Sequence, residues 1–165
     1  MPSDAIVRAP ILLATIAWAI GEVFRGRSAQ LDRRARLIST AALLLTLLHV
    51  VLAFQLVYGW SHEAAVQGTI RQVEALVGQG WRGAIFVNYA FLALWLTDVC
   101  WWWVAPISHA RAPSRLEAAR LAVFTFMFVN GAIVFATGVA RLVGIGSVAL
   151  VLCSALVYSR RRAAA

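Results

Sequence analysis

The feature that most constrains the fold is a series of long apolar runs, each close to the length needed to cross a lipid bilayer. A helix needs about 20 mostly apolar residues to span the hydrocarbon core. Five runs meet that requirement: residues 5–24, 37–60, 84–106, 121–140 and 142–159. Only 13% of the residues are charged, whereas a soluble domain carries about 25%. The sequence therefore predicts an all-α integral membrane bundle of five transmembrane helices, forming a single domain over residues 1–165.

The basic residues lie between the runs, and they predict the orientation of the chain. Arginines concentrate after the first run, after the third run and at the C-terminus: Arg25, Arg27, Arg33, Arg34 and Arg36, then Arg111, Arg115 and Arg120, then Arg160, Arg161 and Arg162. Short loops rich in Lys and Arg stay in the cytoplasm. We therefore expect a protein of a bacterial-type inner membrane, with its N-terminus outside and its C-terminus cytoplasmic.

The two connections on the opposite side differ from each other. Between the second and third runs, residues 61–77 carry valine and isoleucine along one helical face, at Val66, Ile70, Val73 and Val77. This spacing predicts an amphipathic helix, too short to span, that lies along the outer surface. The fourth and fifth runs are joined by one residue, which predicts a tight antiparallel hairpin around Arg141 and Gly144.

The formal net charge of +8 has two readings. In a soluble protein it would indicate a nucleic-acid partner. Here the arginines flank apolar runs, so we expect them to meet the anionic head groups of lipids. The expected partners are the bilayer and other membrane subunits, or further copies of the chain, and not nucleic acid.

The polar residues inside the runs are the candidate functional residues. An Asp at the centre of a spanning helix costs about 2.5–3.5 kcal/mol on insertion scales and is rarely idle. Asp98 shares a helical stripe with Asn88, and His49 lies on a stripe of small residues in the preceding run. Consecutive helices are usually neighbours, so His49 and Asp98 are predicted to approach each other. They would act as a structural pair, a proton or ion relay, or ligands of a pigment, haem or metal.

Other polar residues have weaker assignments. Glu22 is expected to meet Arg25 or another arginine at the same end, and Asn130 to join helices by hydrogen bonds. His62 and Glu63 offer two metal donors, although adjacent residues on a helix diverge. The three tryptophans before Pro106 are expected at the level of the lipid head groups, where an amphipathic ring is favoured. They are Trp101, Trp102 and Trp103.

Motifs of known chemistry are missing from the sequence. It has no HExxH, CxxC, phosphate loop or dinucleotide fingerprint, so enzymatic activity is not expected. The histidines at positions 49, 62 and 109 fall at three predicted depths, which does not suit haem held by two histidines of one chain. No cofactor is identified.

Three hypotheses of function follow. The first is an accessory or scaffold subunit of a larger membrane complex, such as a bioenergetic one. The second is a cofactor, pigment or metal binder that uses His49 with Asp98, or His62 with Glu63. The third is a proton- or ion-coupled carrier that depends on Asp98.

Overall fold

A computed structural model describes the backbone of residues 2–163 and the side chains of residues 5–157. That part of the chain forms α1 (Pro2–Phe24), α2 (Ala29–Leu56), α3 (His62–Val77), α4 (Ala84–Val104), α5 (Pro106–Ala110), α6 (Ser114–Val129), a π-helical turn (Asn130–Val134) and α7 (Gly138–Ala163). Five segments are long and apolar enough to cross a membrane: Ala5–Phe24, Ala29–Leu56, Ala84–Val104, Ser114–Val134 and Gly138–Val157. The predicted all-helical bundle with five spans is confirmed.

The spans run alternately up and down, so the bundle has two distinct ends. The end that holds the α1–α2 turn and α5 is called the arginine end here. The other end, which holds α3 and the turn before α7, is called the α3 end. These names do not depend on the orientation of the protein in the membrane.

The second span begins well before its apolar run, at Ala29 instead of residue 37. The Ser28 hydroxyl accepts a hydrogen bond from the amide of Leu31 at 3.2 Å. This bond satisfies one of the N–H groups that a helix start leaves free. Three of the arginines expected in the first loop therefore lie within α2, where arginine is a good helix former.

The turn between the last two spans lies earlier than predicted. The fourth span ends at Val134, the turn occupies residues 135–137, and α7 begins at Gly138. Gly138 has a φ of 60°, a left-handed conformation that glycine adopts without strain. The prediction of a hairpin around Arg141 and Gly144 is therefore wrong, because both residues lie inside α7.

A short helix at the arginine end was not predicted from the sequence. α4 ends at Val104, and Pro106 begins α5. Proline fits the first position of a helix, because its missing N–H would have no partner there. The chain then turns again, and α6 starts at Ser114 instead of residue 121.

The core of the bundle is aromatic and lies below the α3 end. Trp18 of α1 stacks on Phe128 of α6 with 4.1 Å between the ring centroids. Phe91 and Trp95 of α4 meet Phe124 and Phe128 edge to face, with centroids 5.1–6.1 Å apart. Such edge-to-face pairs contribute about 0.5–1.5 kcal/mol each beyond the area they bury. The rings therefore fix α1, α4 and α6 to one another near mid-span.

The amphipathic helix α3 covers one end of the bundle. The Ser61 hydroxyl caps its first turn, accepting from the amide of Ala64 at 3.2 Å. Val66 on its apolar face is buried and packs with Ile85 of α4 and Tyr58. The predicted surface helix is present, and its apolar face contacts the bundle.

Candidate functional site

Asp98 is the centre of an ion cluster at the arginine end. Arg25 donates two hydrogen bonds to its carboxylate, from Nη1 to Oδ2 and from Nη2 to Oδ1, both at 3.1 Å. His109 on α5 places Nε2 3.0 Å from Oδ1. Only 7% of the Asp98 surface is exposed. Two groups from outside its own helix therefore surround this buried acid.

The predicted pairing of Asp98 with His49 is wrong. His49 places Nδ1 2.8 Å from the carbonyl oxygen of Val7. At 1.5 Å per residue, Asp98 is about 9 Å from the arginine end of α4, whereas His49 is about 30 Å from the arginine end of α2. The early start of α2 at Ala29 accounts for this depth, so the two side chains lie in opposite halves of the bundle.

A second buried pair extends the ion cluster. Arg120 on α6 donates to both carboxylate oxygens of Glu22, at 2.7 and 2.8 Å. Glu117 joins the two arginines, because its Oε2 lies 3.3 Å from Nε of Arg120 and 3.4 Å from Nε of Arg25. Arginine and carboxylate form the strongest hydrogen bonds when two run in parallel. The cluster thus ties together α1, α4, α5 and α6.

One of the three tryptophans belongs to this cluster. Trp102 is only 1% exposed. Its ring stacks on His109 at 4.7 Å, and the guanidinium of Arg25 lies 4.2 Å from its centroid. Its indole N–H donates to Asp32 at 3.1 Å. Trp102 is therefore buried inside the protein, whereas Trp103 is 45% exposed. The expectation that the three tryptophans lie at head-group level stays a prediction.

The contacts of His109 limit which hydrogen bonds the ion cluster can form at one time. Its Nε2 lies 2.9 Å from Nη2 of Arg25 and 3.0 Å from Oδ1 of Asp98. Arginine only donates and an ionised carboxylate only accepts, so this nitrogen can satisfy one of them at a time. The charged groups of the cluster satisfy one another inside the protein.

A chamber of about 810 Å³ lies towards the α3 end. Helix α3 forms its roof through residues that include Gln72 and Val73, and the rings of Phe91 and Phe128 form its floor. Its remaining walls come from α1, α2, α4, α6, the π-helical turn and the start of α7. The structure thus leaves open space directly above the aromatic core.

Three of the predicted polar residues line this chamber. They are His49 on α2, Asn88 on α4 and Asn130 at the start of the π-helical turn. Four threonines and Gln72 add further polar atoms, and among the residues whose side chains are described the lining contains one arginine, Arg8, and no Asp or Glu. The sequence signal, a polar residue inside an apolar run, therefore identified side chains of one cavity on three different helices.

The hydrogen bonds of His49 and Asn130 show which of their polar atoms have no partner within the described part of the chain. The Val7 carbonyl can only accept, so Nδ1 of His49 is the donor in their 2.8 Å bond. A neutral ring then keeps Nε2 as a free acceptor. Asn130 donates an N–H of its side-chain amide to the carbonyl of Phe126 at 3.0 Å, within its own helical segment. The expectation that Asn130 joins two helices by a hydrogen bond is therefore wrong for the described residues, and its side-chain oxygen remains as an acceptor. The orientation of both side chains is fixed by backbone carbonyls.

The two proposed metal donors on α3 have other partners. Glu63 accepts from the Gln67 amide at 2.7 Å and from Arg82 at 3.2 Å. These two partners, Gln67 first, hold the pKa of Glu63 below its usual value. His62 lies against the rings of Phe86 and Tyr89. Among the described residues, no three His, Cys, Asp or Glu side chains are grouped as metal ligands.

Comparisons with known proteins add no family to this geometry. No protein-family model matches the sequence, and no curated protein or solved structure is significantly similar to it. The two sites must therefore be interpreted from their own residues. The groups of the ion cluster bind one another, whereas the chamber has space for another molecule.

Proposed function

We propose that this polytopic membrane protein binds a lipophilic small molecule in the chamber. The observation that carries the proposal is an 810 Å³ cavity lined by His49, Asn88 and Asn130 inside a membrane bundle. Small-molecule sites have volumes of about 300–1,000 Å³ and mostly apolar walls with a few well-placed polar groups. The chamber has both properties. Its lining also brings together three polar residues that are unfavourable in contact with lipid tails.

The position of the lining residues supports entry from the bilayer. Asn88 on α4 and Phe126 on α6 line the chamber, and both residues are exposed. The two helices meet through the rings of Phe91 and Phe124, deeper in the membrane. A molecule dissolved in lipid can therefore enter between α4 and α6 without crossing water.

His49 is the residue that we expect to contact the bound molecule most specifically. Its Nδ1–H is fixed by a carbonyl, so its Nε2 has one direction in which to accept a hydrogen bond or bind a metal. The hypothesis of a bound cofactor therefore keeps His49 as a ligand. Asp98 is no longer part of it, because it lies in the opposite half of the bundle. A pigment or haem is one kind of lipophilic molecule that would use such a nitrogen.

The test compares the native protein with a variant whose chamber is obstructed. Leu92 lines the chamber on α4, so Leu92→Trp places a large ring in it. Leu96 lies one turn further along α4 and is exposed to lipid, so Leu96→Trp is the matched control. Each protein is captured in lipid nanodiscs directly from its membranes, extracted with solvent and analysed by mass spectrometry and absorption spectroscopy.

We expect a lipophilic molecule to be enriched with the native protein and with Leu96→Trp, and to be lost from Leu92→Trp. An absorbing extract would identify that molecule as a pigment or haem. Identical extracts from the native protein and Leu92→Trp would contradict the proposal, provided that both variants remain folded by circular dichroism.

A role as accessory or scaffold subunit is a second candidate. Within the chain, only 17–39% of the most apolar window of each span is buried, and α2 exposes Leu44 and Leu48. These wide faces are available to lipid or to another subunit. Native mass spectrometry of the protein released from its own membrane tests this role: a partner at fixed stoichiometry would support it, and a monomer alone would count against it.

A further inference from the structure

We infer that the molecule bound in the chamber carries an acidic head group, which Arg8 holds, and an apolar tail that extends towards Phe91 and Phe128. This inference rests on the proposed function, and it specifies the chemical class of the ligand: a long-chain organic acid or a similar anionic amphiphile. Two separate observations support this class of ligand: the charge of the lining, and the arrangement of polar and apolar groups along the chamber.

The charge of the lining favours an anion. Within residues 5–157, Arg8 is the one charged side chain that lines the chamber, and no Asp or Glu of that part of the chain does so. No salt bridge joins Arg8 to a side chain within residues 5–157. Asp4 lies one helical turn before it, and its side chain lies outside the described residues. An arginine at the boundary of hydrocarbon gains most from a carboxylate or phosphate that it can bind with two parallel hydrogen bonds.

The order of groups along the chamber fits an amphiphile. Arg8 and His49 lie in the same part of it, because His49 bonds to the carbonyl of Val7, the neighbour of Arg8. Gln72 on α3 lines the chamber at the α3 end. At the opposite limit, the floor consists of the Phe91 and Phe128 rings. A polar head and an apolar tail are therefore both accommodated when the molecule lies parallel to the spans.

The experiment measures selectivity for the head group in a defined bilayer. The native protein is placed in phosphatidylcholine nanodiscs with palmitic acid that carries a photoactivatable diazirine in its tail. Unlabelled palmitic acid or methyl palmitate then competes, at a pH above the pKa of the acid in the bilayer. The labelled peptides are located and quantified by mass spectrometry.

We expect label in the peptides that contain Leu92 and Phe126, and less of it in Leu92→Trp, where only the lipid-exposed surface of residues such as Phe126 remains accessible. Palmitic acid should compete at a concentration at least about tenfold lower than methyl palmitate, which corresponds to about 1.4 kcal/mol. Arg8→Gln should abolish this preference, and Arg8→Lys, which keeps the charge but not the two parallel hydrogen bonds, should retain only part of it. Arg71→Gln removes an exposed charge on α3 that does not line the chamber, so it should keep the preference.

Two contrary results have different meanings. Chamber labelling with equal competition by acid and ester, or with a preference unchanged in Arg8→Gln, would overturn the acidic head group and leave the proposed function standing. Chamber peptides labelled no more than in Leu92→Trp would overturn both.

Discussion

At the scale of single residues, a polar residue inside an apolar run indicates where a site lies in the bundle. It does not indicate which residue will be its hydrogen-bond partner. His49, Asn88 and Asn130 could be identified from the sequence because each interrupts an apolar run, and all three line the chamber. The partners of Asp98 could not be identified in the same way. Arg25 lies in a turn and His109 on a short helix, and no pattern in the sequence shows that either folds back onto α4.

The contacts of Asp98 predict that its loss is more damaging than the loss of His49. Asp98→Leu leaves Arg25 buried without its main partner, and breaking a buried ion pair costs about 3–5 kcal/mol. Glu117 still lies 3.4 Å from Arg25, so we expect the lower part of that range. His49→Leu loses one hydrogen bond to a carbonyl, about 1 kcal/mol.

Unfolding in detergent, followed by circular dichroism, measures both effects. The double variant Asp98→Leu with Arg25→Met should recover part of the stability lost in Asp98→Leu, because it removes the unpaired charge. Equal losses for Asp98→Leu and His49→Leu would show that the Arg25 contacts do not stabilise the protein.

At the scale of helices, the apolar runs predict how many spans there are but not where they end. Hydrophobicity marks the part of a helix that lies in lipid, whereas the ends depend on caps and turns. Ser28 extends α2, and Gly138 places the last turn ahead of the residues that hydropathy indicated. Pro106 was the available signal for α5, since proline begins helices more readily than it continues them.

Contact between α7 and the π-helical turn predicts a sharp difference between two glycines. A Cβ added to Gly144 would overlap the carbonyl of Ala132, whereas a Cβ on Gly146 meets nothing within 4 Å. Overpacking of this kind costs about 1–3 kcal/mol. Gly146→Ala should instead be neutral or stabilising by up to about 1 kcal/mol.

Because Ala132 also lines the chamber, Gly144→Ala should weaken ligand binding as well as stability. Thermal unfolding and diazirine labelling of the same two variants check both effects. Similar melting temperatures for Gly144→Ala and Gly146→Ala would show that a methyl group at position 144 fits beside the carbonyl of Ala132, which would contradict the close approach of α7 to the π-helical turn.

At the scale of the whole molecule, the two ends of the bundle differ in what stabilises them. The arginine end is fixed by buried ion pairs between four helices, and mid-span by stacked aromatic rings. The α3 end has a covering helix that packs against Ile85 and Tyr58, and a chamber lined in part by the same helix. Opening that admits a ligand would therefore occur at the α3 end without disturbing the opposite end.

The positions of the arginines also predict how the whole molecule is oriented in the membrane. Five spans place the termini on opposite sides, and basic segments favour the cytoplasmic side. We expect the arginine end and the C-terminus in the cytoplasm, with the chamber in the outer half of the bilayer. Single cysteines introduced as Ser3→Cys or Ala164→Cys, in a protein whose Cys100 and Cys153 are replaced by serine, report each side. A membrane-impermeant maleimide applied to spheroplasts should label the first variant and label the second only after lysis. Labelling of both before lysis would contradict an odd number of spans, and the reverse pattern would place the chamber in the cytoplasmic half.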